Sequence, residues 1–110
     1  MQPDGSLFSG RDACPILKEL EDSGAAAVGF NCVPLSDLTP GLVSKLRRHV
    51  KGPLICKPNA GEPFLDEDGI AQYPMEAEDF GNLLRECFLS GASLVGGCCG
   101  TTPRHIAAAA

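Results

Sequence analysis

Apolar residues along the chain alternate between two rhythms. Asp12 is a helix N-cap signal, Ile16, Leu17 and Leu20 follow at helical spacing, and Gly24 supplies a stop. "AAAVGFNC" (residues 25–32) is then apolar without alternation and has the length of a strand. Thr39-Pro40 opens a second helix with Leu42, Val43, Leu46 and Val50 on one face, and Gly52-Pro53 ends it. "LICKPN" (54–59) reads as a second strand. The polar stretch "AGEPFLDEDGIAQYP" carries a turn signal at Asp68-Gly69 and suggests a small hairpin. A third helix is predicted from about Glu76 to Ser90, with Phe80, Leu83, Leu84, Cys87 and Phe88 as its apolar stripe and Gly91 after it. "ASLVGG" (92–97) is a third strand, and Thr102-Pro103 starts a last helix that runs into alanines.

Three apolar strands alternating with helices predict an α/β fold with parallel strands buried on both faces. Right-handed crossovers would lay them side by side, with helices covering the sheet. An internal repeat supports this order. "SGAAAVGFNC" and "SGASLVGGCC" share the frame S-G-A-x-x-V-G-x-x-C. Superposed, Cys32 matches Cys99 and Asn31 matches Cys98. Aligning the middle strand on Gly52 puts Asn59 level with both. These residues fall at the C-terminal ends of the strands, where parallel α/β proteins collect their ligands. A complete (βα)8 barrel needs about 250 residues. The expectation is therefore the C-terminal portion of a TIM barrel, about three parallel strands with flanking helices, whose open edges favour self-association.

Net charge is −5, which argues against a nucleic-acid partner, and "KLRRH" (45–49) reads as the solvated side of a helix. No apolar run is long enough to span a membrane, and the first ten residues lack the pattern of a secretory leader. The chain is expected to be cytoplasmic. In that setting six cysteines point to metal binding or chemistry rather than disulfides.

Adjacent cysteines in "GGCCG" (96–100) would point to opposite faces of a regular strand. For both to reach one point the backbone must turn, and Gly96, Gly97 and Gly100 allow it. Cys32 offers a third sulfur from another strand end. Three thiolates suit zinc, with a fourth position left for substrate. A thiolate-rich zinc is a weak activator of water but holds another thiol in its reactive form, which points to S-alkyl transfer. Packed or redox-active thiols are the competing reading. Cys14, Cys56 and Cys87 fall inside helices or mid-strand and read as small core residues.

"GFNC", "KPNAGEP" and "GGCCGTTPRHI", in that order, resemble the C-terminal half of the homocysteine S-methyltransferase domain. The likeness extends over nearly the whole chain and is strong to the homocysteine-binding module of cobalamin-dependent methionine synthase. "KPNAG" and "YPM" favour the methionine synthase-like or reductase-fused branch over the betaine-using one. The resemblance implies a (βα)8 barrel, of which residues 1–110 form a partial domain from the loop after strand five to the start of helix eight. It implies zinc ligands at Cys32, Cys98 and Cys99, with the homocysteine sulfur as the fourth. Asn59 would fill the open zinc position in the absence of substrate or hydrogen-bond near it, a loop cap being the plain alternative. Asn31 is expected to hold the neighbouring loop, and His105, in the first turn of the last helix, to have a surface or capping role rather than to bind metal. The implied reaction is methyl transfer to homocysteine, giving methionine, from methylcobalamin or a folate-linked system on other domains. The missing half-barrel would complete the substrate pocket. The alternatives are a truncated, inactive zinc-binding fragment and a thiol redox protein.

Overall fold

A computed structural model describes all 110 residues. Asp12 caps the first helix, α1 (Ala13–Asp22), its carboxylate accepting the Cys14 N–H at 3.0 Å. Gly24 then turns the chain in the left-handed region (φ 108°) into β1 (Val28–Pro34). Helix α2 (Thr39–Arg47) starts with a proline in its first turn, as the sequence predicts, and leads into β2 (Leu54–Asn59). The polar stretch is a short antiparallel hairpin of β3 (Phe64–Leu65) and β4 (Ala71–Gln72). Helix α3 (Ala77–Leu89), β5 (Leu94–Val95) and α4 (Pro103–Ala109) complete the chain.

The three long-range strands form one parallel sheet in the order β1-β2-β5. This is the α/β arrangement expected from the alternating pattern. Alternate strand residues point into a core shared with the helices: Val28, Phe30, Leu54 and Cys56 meet Leu17, Leu42, Val43, Leu46, Phe80, Leu84 and Cys87. Cys14, Cys56 and Cys87 lie in this core, as expected. A hydrogen bond with Cys87, together with burial, pushes the Cys56 thiol far up.

Burial on both faces does not hold. Ile55 is half-buried, and Asn31, Lys57 and Leu94 on the same face are exposed, Leu94 to 54%. All the helices cover one side, so the second face of the sheet has nothing over it. Two stripe positions also differ from expectation: Leu20 and Phe88 are half exposed, because each sits on the rim of its helix where no neighbouring element reaches. Gly81 extends the α3 stripe in their stead. A Cβ there would lie 2.5 Å from the Ala108 carbonyl oxygen, so the glycine sets how closely α4 crosses α3.

Gly29 of β1 has the same role against β2, since a Cβ there would overlap the Ile55 backbone. Gly29→Ala is expected to destabilise the fold by about 3 kcal/mol, read as a fall in the urea midpoint. Its counterpart in the repeat, Gly96, has only the Lys57 stem nearby at 3.6 Å, so Gly96→Ala should be mild.

The N-terminal ends of the strands are stapled by two charged side chains. Glu21 accepts the N–H groups of Lys51 (3.0 Å) and Gly52 (2.6 Å). Arg47 donates to the carbonyls of Val50 (2.5 Å), Gly52 (2.6 Å) and Gly91 (3.2 Å). The N–H donors of Lys51 and Gly52 hold the Glu21 carboxyl below its usual 4.5. A carboxyl depressed in the folded state contributes stability above its unfolded pKa and loses it as pH falls through the folded value. Stability should therefore decline below about pH 4.5, and Glu21→Gln should flatten part of that decline. Urea midpoints measured across the acid range would show whether it does.

Candidate metal centre

β1 leaves the sheet abruptly. Its register with β2 runs regularly to Asn31↔Lys57 and then jumps to Pro34↔Asn59, so β1 carries one residue more than its partner over this step. The irregularity centres on Cys32, which sits at φ 61° and is the one residue other than glycine with positive φ. A left-handed non-glycine costs about 1–3 kcal/mol and survives only where its surroundings enforce it. Here the twist turns the thiol out of the strand's alternation and over the end of the sheet.

The register corrects one sequence expectation. Asn59 is level with Pro34 rather than Asn31, because the extra residue at Cys32 shifts the frame. The sulfurs nevertheless meet. Cys32, Cys98 and Cys99 place their Sγ atoms within 4.8 Å of one another, with 2.7 Å between Cys32 and Cys98 and 4.0 Å between Cys98 and Cys99.

Cys98 and Cys99 are aimed by a stitched turn. The Cys98 N–H donates to Pro58 O (2.9 Å) and the Ala60 N–H to Cys99 O (3.0 Å), which continue the parallel ladder beyond β5. The Thr101 hydroxyl donates to Cys98 O at 2.7 Å. Of the three glycines, only Gly100 uses the left-handed region (φ 77°). Gly97 is required for proximity, since a Cβ there would be 2.5 Å from the Thr101 side chain.

Asn59 joins the two halves of the cluster. Its amide nitrogen donates to Cys32 O (3.2 Å) and its amide oxygen accepts the Cys99 N–H (3.0 Å). Only an amide does both jobs at once, with donor and acceptor fixed by the backbone groups they face. Asn59 is buried, and both ends of its amide are engaged by backbone, so it sets position rather than presenting a ligand atom. Asn31 does not hold a loop. Its amide nitrogen lies 3.4 Å from Cys32 Sγ and 4.0 Å from Cys98 Sγ, a donor facing the sulfurs.

The thiols share protons unevenly. A hydrogen bond from Cys32 lowers the pKa of Cys98, and the same contact, with burial, pushes Cys32 up to about 11. A cation bound by the three sulfurs would favour their thiolate forms and displace the thiol protons to water. Zinc–sulfur bonds of about 2.3 Å place tetrahedral ligands about 3.8 Å apart, and the observed separations bracket that spacing. The donor set therefore fits a thiophilic ion, with small movements of Cys32.

His105 belongs to the helix start. Its Nδ1 accepts from the Thr102 N–H (3.2 Å) and its Nε2 meets Met75 O at 2.8 Å, which fixes Nε2 as the protonated nitrogen. The sequence reading missed Tyr73, whose ring lies against Gly100, next to Cys99. Desolvation first, and then the neighbouring Cys99 thiol, raise its phenol pKa. The signal was present as the chain's one tyrosine, in the loop that follows the second strand.

The family model for homocysteine S-methyltransferase matches residues 1–110. The chain is 35% identical over 103 residues to the methionine synthase of Mycobacterium leprae, covering 93% of the chain and 8% of that protein. It is 38% identical over 81 residues to homocysteine S-methyltransferase YbgG of Bacillus subtilis, covering 74% of the chain and 25% of the relative. With homocysteine S-methyltransferase 1 of Zea mays it shares 37% over 109 residues, 94% of the chain and 32% of the relative. The chain thus spans a third or less of each of these proteins. On the full-length family match, this chain belongs to the homocysteine S-methyltransferase family.

Proposed function

We propose that Cys32, Cys98 and Cys99 hold a zinc ion, and that residues 1–110 are the C-terminal part of a (βα)8-barrel homocysteine S-methyltransferase. On this reading the chain runs from the loop after barrel strand five to the start of helix eight. The observation that carries the proposal is the convergence of three sulfurs from two strand ends, with the Cys32 backbone held in a strained conformation to achieve it. When bound, zinc would offer its fourth position to the homocysteine thiol and lower that thiol's pKa, so that it reacts as a thiolate near neutral pH.

The chain's own residues supply order. Asn59 fixes the Cys32 and Cys99 backbones relative to each other, Thr101 closes the turn, and Asn31 donates toward the sulfurs. With the rest of the barrel in place, the homocysteine thiolate would accept a methyl group from a methylcobalamin or folate-linked donor on other domains, giving methionine and the demethylated donor. The exposed face of β5 and the chain's small share of its relatives favour a second reading for the chain by itself: it binds zinc but transfers no methyl group. In either case no helix is long and apolar enough to cross a membrane.

The test is metal analysis of the purified chain after dialysis, followed by methyl-transfer assays with and without the rest of the barrel. One zinc per chain is expected, with turnover in the completed barrel. A folded chain that retains no zinc would remove the basis of the proposal.

A further inference from the structure

The repeat in the sequence pairs Asn31-Cys32 with Cys98-Cys99, so three equivalent positions carry a thiol and the remaining one an amide. In a regular strand Asn31 and Cys32 would point to opposite faces. Phe30 lies in the core and Asn31 on the open face, so strict alternation would send Cys32 back toward the core. The left-handed backbone at Cys32 (φ 61°) cancels that alternation. It brings the thiol round to the side of its own neighbour, and the Asn31 amide nitrogen stands 3.4 Å from Cys32 Sγ. The same nitrogen is 4.0 Å from Cys98 Sγ, its counterpart in the repeat.

Both separations match the spacing of ligands on one ion. Tetrahedral ligands on zinc–sulfur bonds of about 2.3 Å stand about 3.8 Å apart. The amide nitrogen thus keeps ligand-like spacing from two of the three sulfurs, on the exposed side of the cluster. With sulfurs as acceptors, the amide turns its N–H donors toward them and its oxygen away. The amide nitrogen's lone pair is delocalised into the carbonyl and is not free for a metal. We infer that Asn31 keeps the metal centre open: it stands where the repeat would put a fourth thiol and offers hydrogen-bond donors there instead of a ligand. Four thiolates make a closed, structural zinc site, whereas three protein ligands leave a position for substrate. The choice of amide over thiol at residue 31 therefore decides which kind of site the fold builds. The inference rests on the zinc reading and extends it from the three ligands to the residue that withholds a fourth.

Asn31→Cys tests this on the whole chain loaded with cobalt(II), whose sulfur-to-metal charge-transfer band gains intensity with each bound sulfur. The probe is homocysteine. In wild type it is expected to enter the open position through its sulfur and strengthen the band. In Asn31→Cys the stronger band should be present before any thiol is added, and the response to homocysteine should be lost. Asn31→Asp keeps the shape of the side chain but turns an oxygen ligand toward the metal, so more homocysteine should be needed for the same response. Asn31→Ala, which supplies no ligand, should respond as wild type does. A wild-type band that ignores homocysteine, or an Asn31→Cys band that still responds as wild type does, would overturn the inference alone. Loss of the response in Asn31→Ala would overturn it as well, by showing that any change at residue 31 distorts the cluster. A wild-type chain that takes up neither cobalt nor zinc would refute the zinc reading, and the inference would fall with it.

Discussion

Cys98→Ala is expected to abolish zinc binding and, in the completed barrel, methyl transfer with it. Cys98 is the middle sulfur, 2.7 Å from Cys32 and 4.0 Å from Cys99, so its removal leaves two thiols on opposite sides of a gap. Two thiolates do not hold zinc against water and chelators as three do, and the surviving pair lacks the tetrahedral arrangement zinc prefers. The substitution spares the scaffold. The Cys98 N–H still reaches Pro58 O, its carbonyl still accepts from Thr101, and alanine fits wherever cysteine does. Metal content should therefore fall to background while the metal-free melting profile stays close to that of wild type. Cys14→Ala, in the core away from the cluster, should keep its zinc at some cost in stability. Stoichiometric zinc in Cys98→Ala would refute the centre.

The second large effect is expected at Asn59. Asn59→Ala leaves the Cys99 N–H and the Cys32 carbonyl without their partner, and each unsatisfied group costs about 1–3 kcal/mol. Both cysteines are exposed, so water recovers part of this and a total near 2 kcal/mol is expected. The greater consequence is for metal. Without the amide, the backbone of the strained β1 end is no longer tied to that of the β5 turn, and zinc affinity should drop 10- to 100-fold, the range seen when partners that orient metal ligands are removed. Asn59→Asp is the sharper variant: it keeps an acceptor for Cys99 but turns an oxygen toward the Cys32 carbonyl and adds negative charge beside three thiolates. Chelator competition and urea midpoints on the same samples separate the roles. Lost stability with wild-type zinc affinity would reduce Asn59 to a loop cap.

Most of the architecture was legible because it is governed by local rules. Glycine and Thr-Pro signals bound the helices, and "LICKPN" coincides with β2 to the residue. The repeat also singled out Cys32 as a companion to Cys98 and Cys99 before any coordinates. What escaped depends on tertiary placement. Nothing local to "GFNCVP" announces that a cysteine will adopt a left-handed backbone; that follows from the pull of Asn59, 27 residues later. The residue gained at that point is also why strand ends aligned by glycines gave Asn59 the wrong neighbour. Tyr73 escaped because a hairpin folds it back onto a turn more than twenty residues downstream. Leu20 and Phe88 kept helical spacing but had no element opposite them, and spacing alone does not reveal which part of a stripe is covered.

The sheet is secured at its two ends by unlike means. Below, Glu21 and Arg47 bind backbone around Gly52; above, Asn59 and the cysteine turn bind each other. β2 runs between them, about 17 Å from one end to the other at the usual rise per residue. Sites so far apart with no shared partner contribute independently to stability. The lower end is therefore where sequence drift or an engineer can raise or lower the melting point without disturbing the thiols. The strain at Cys32 can persist through evolution because its cost is offset by contacts that have no part in the chemistry.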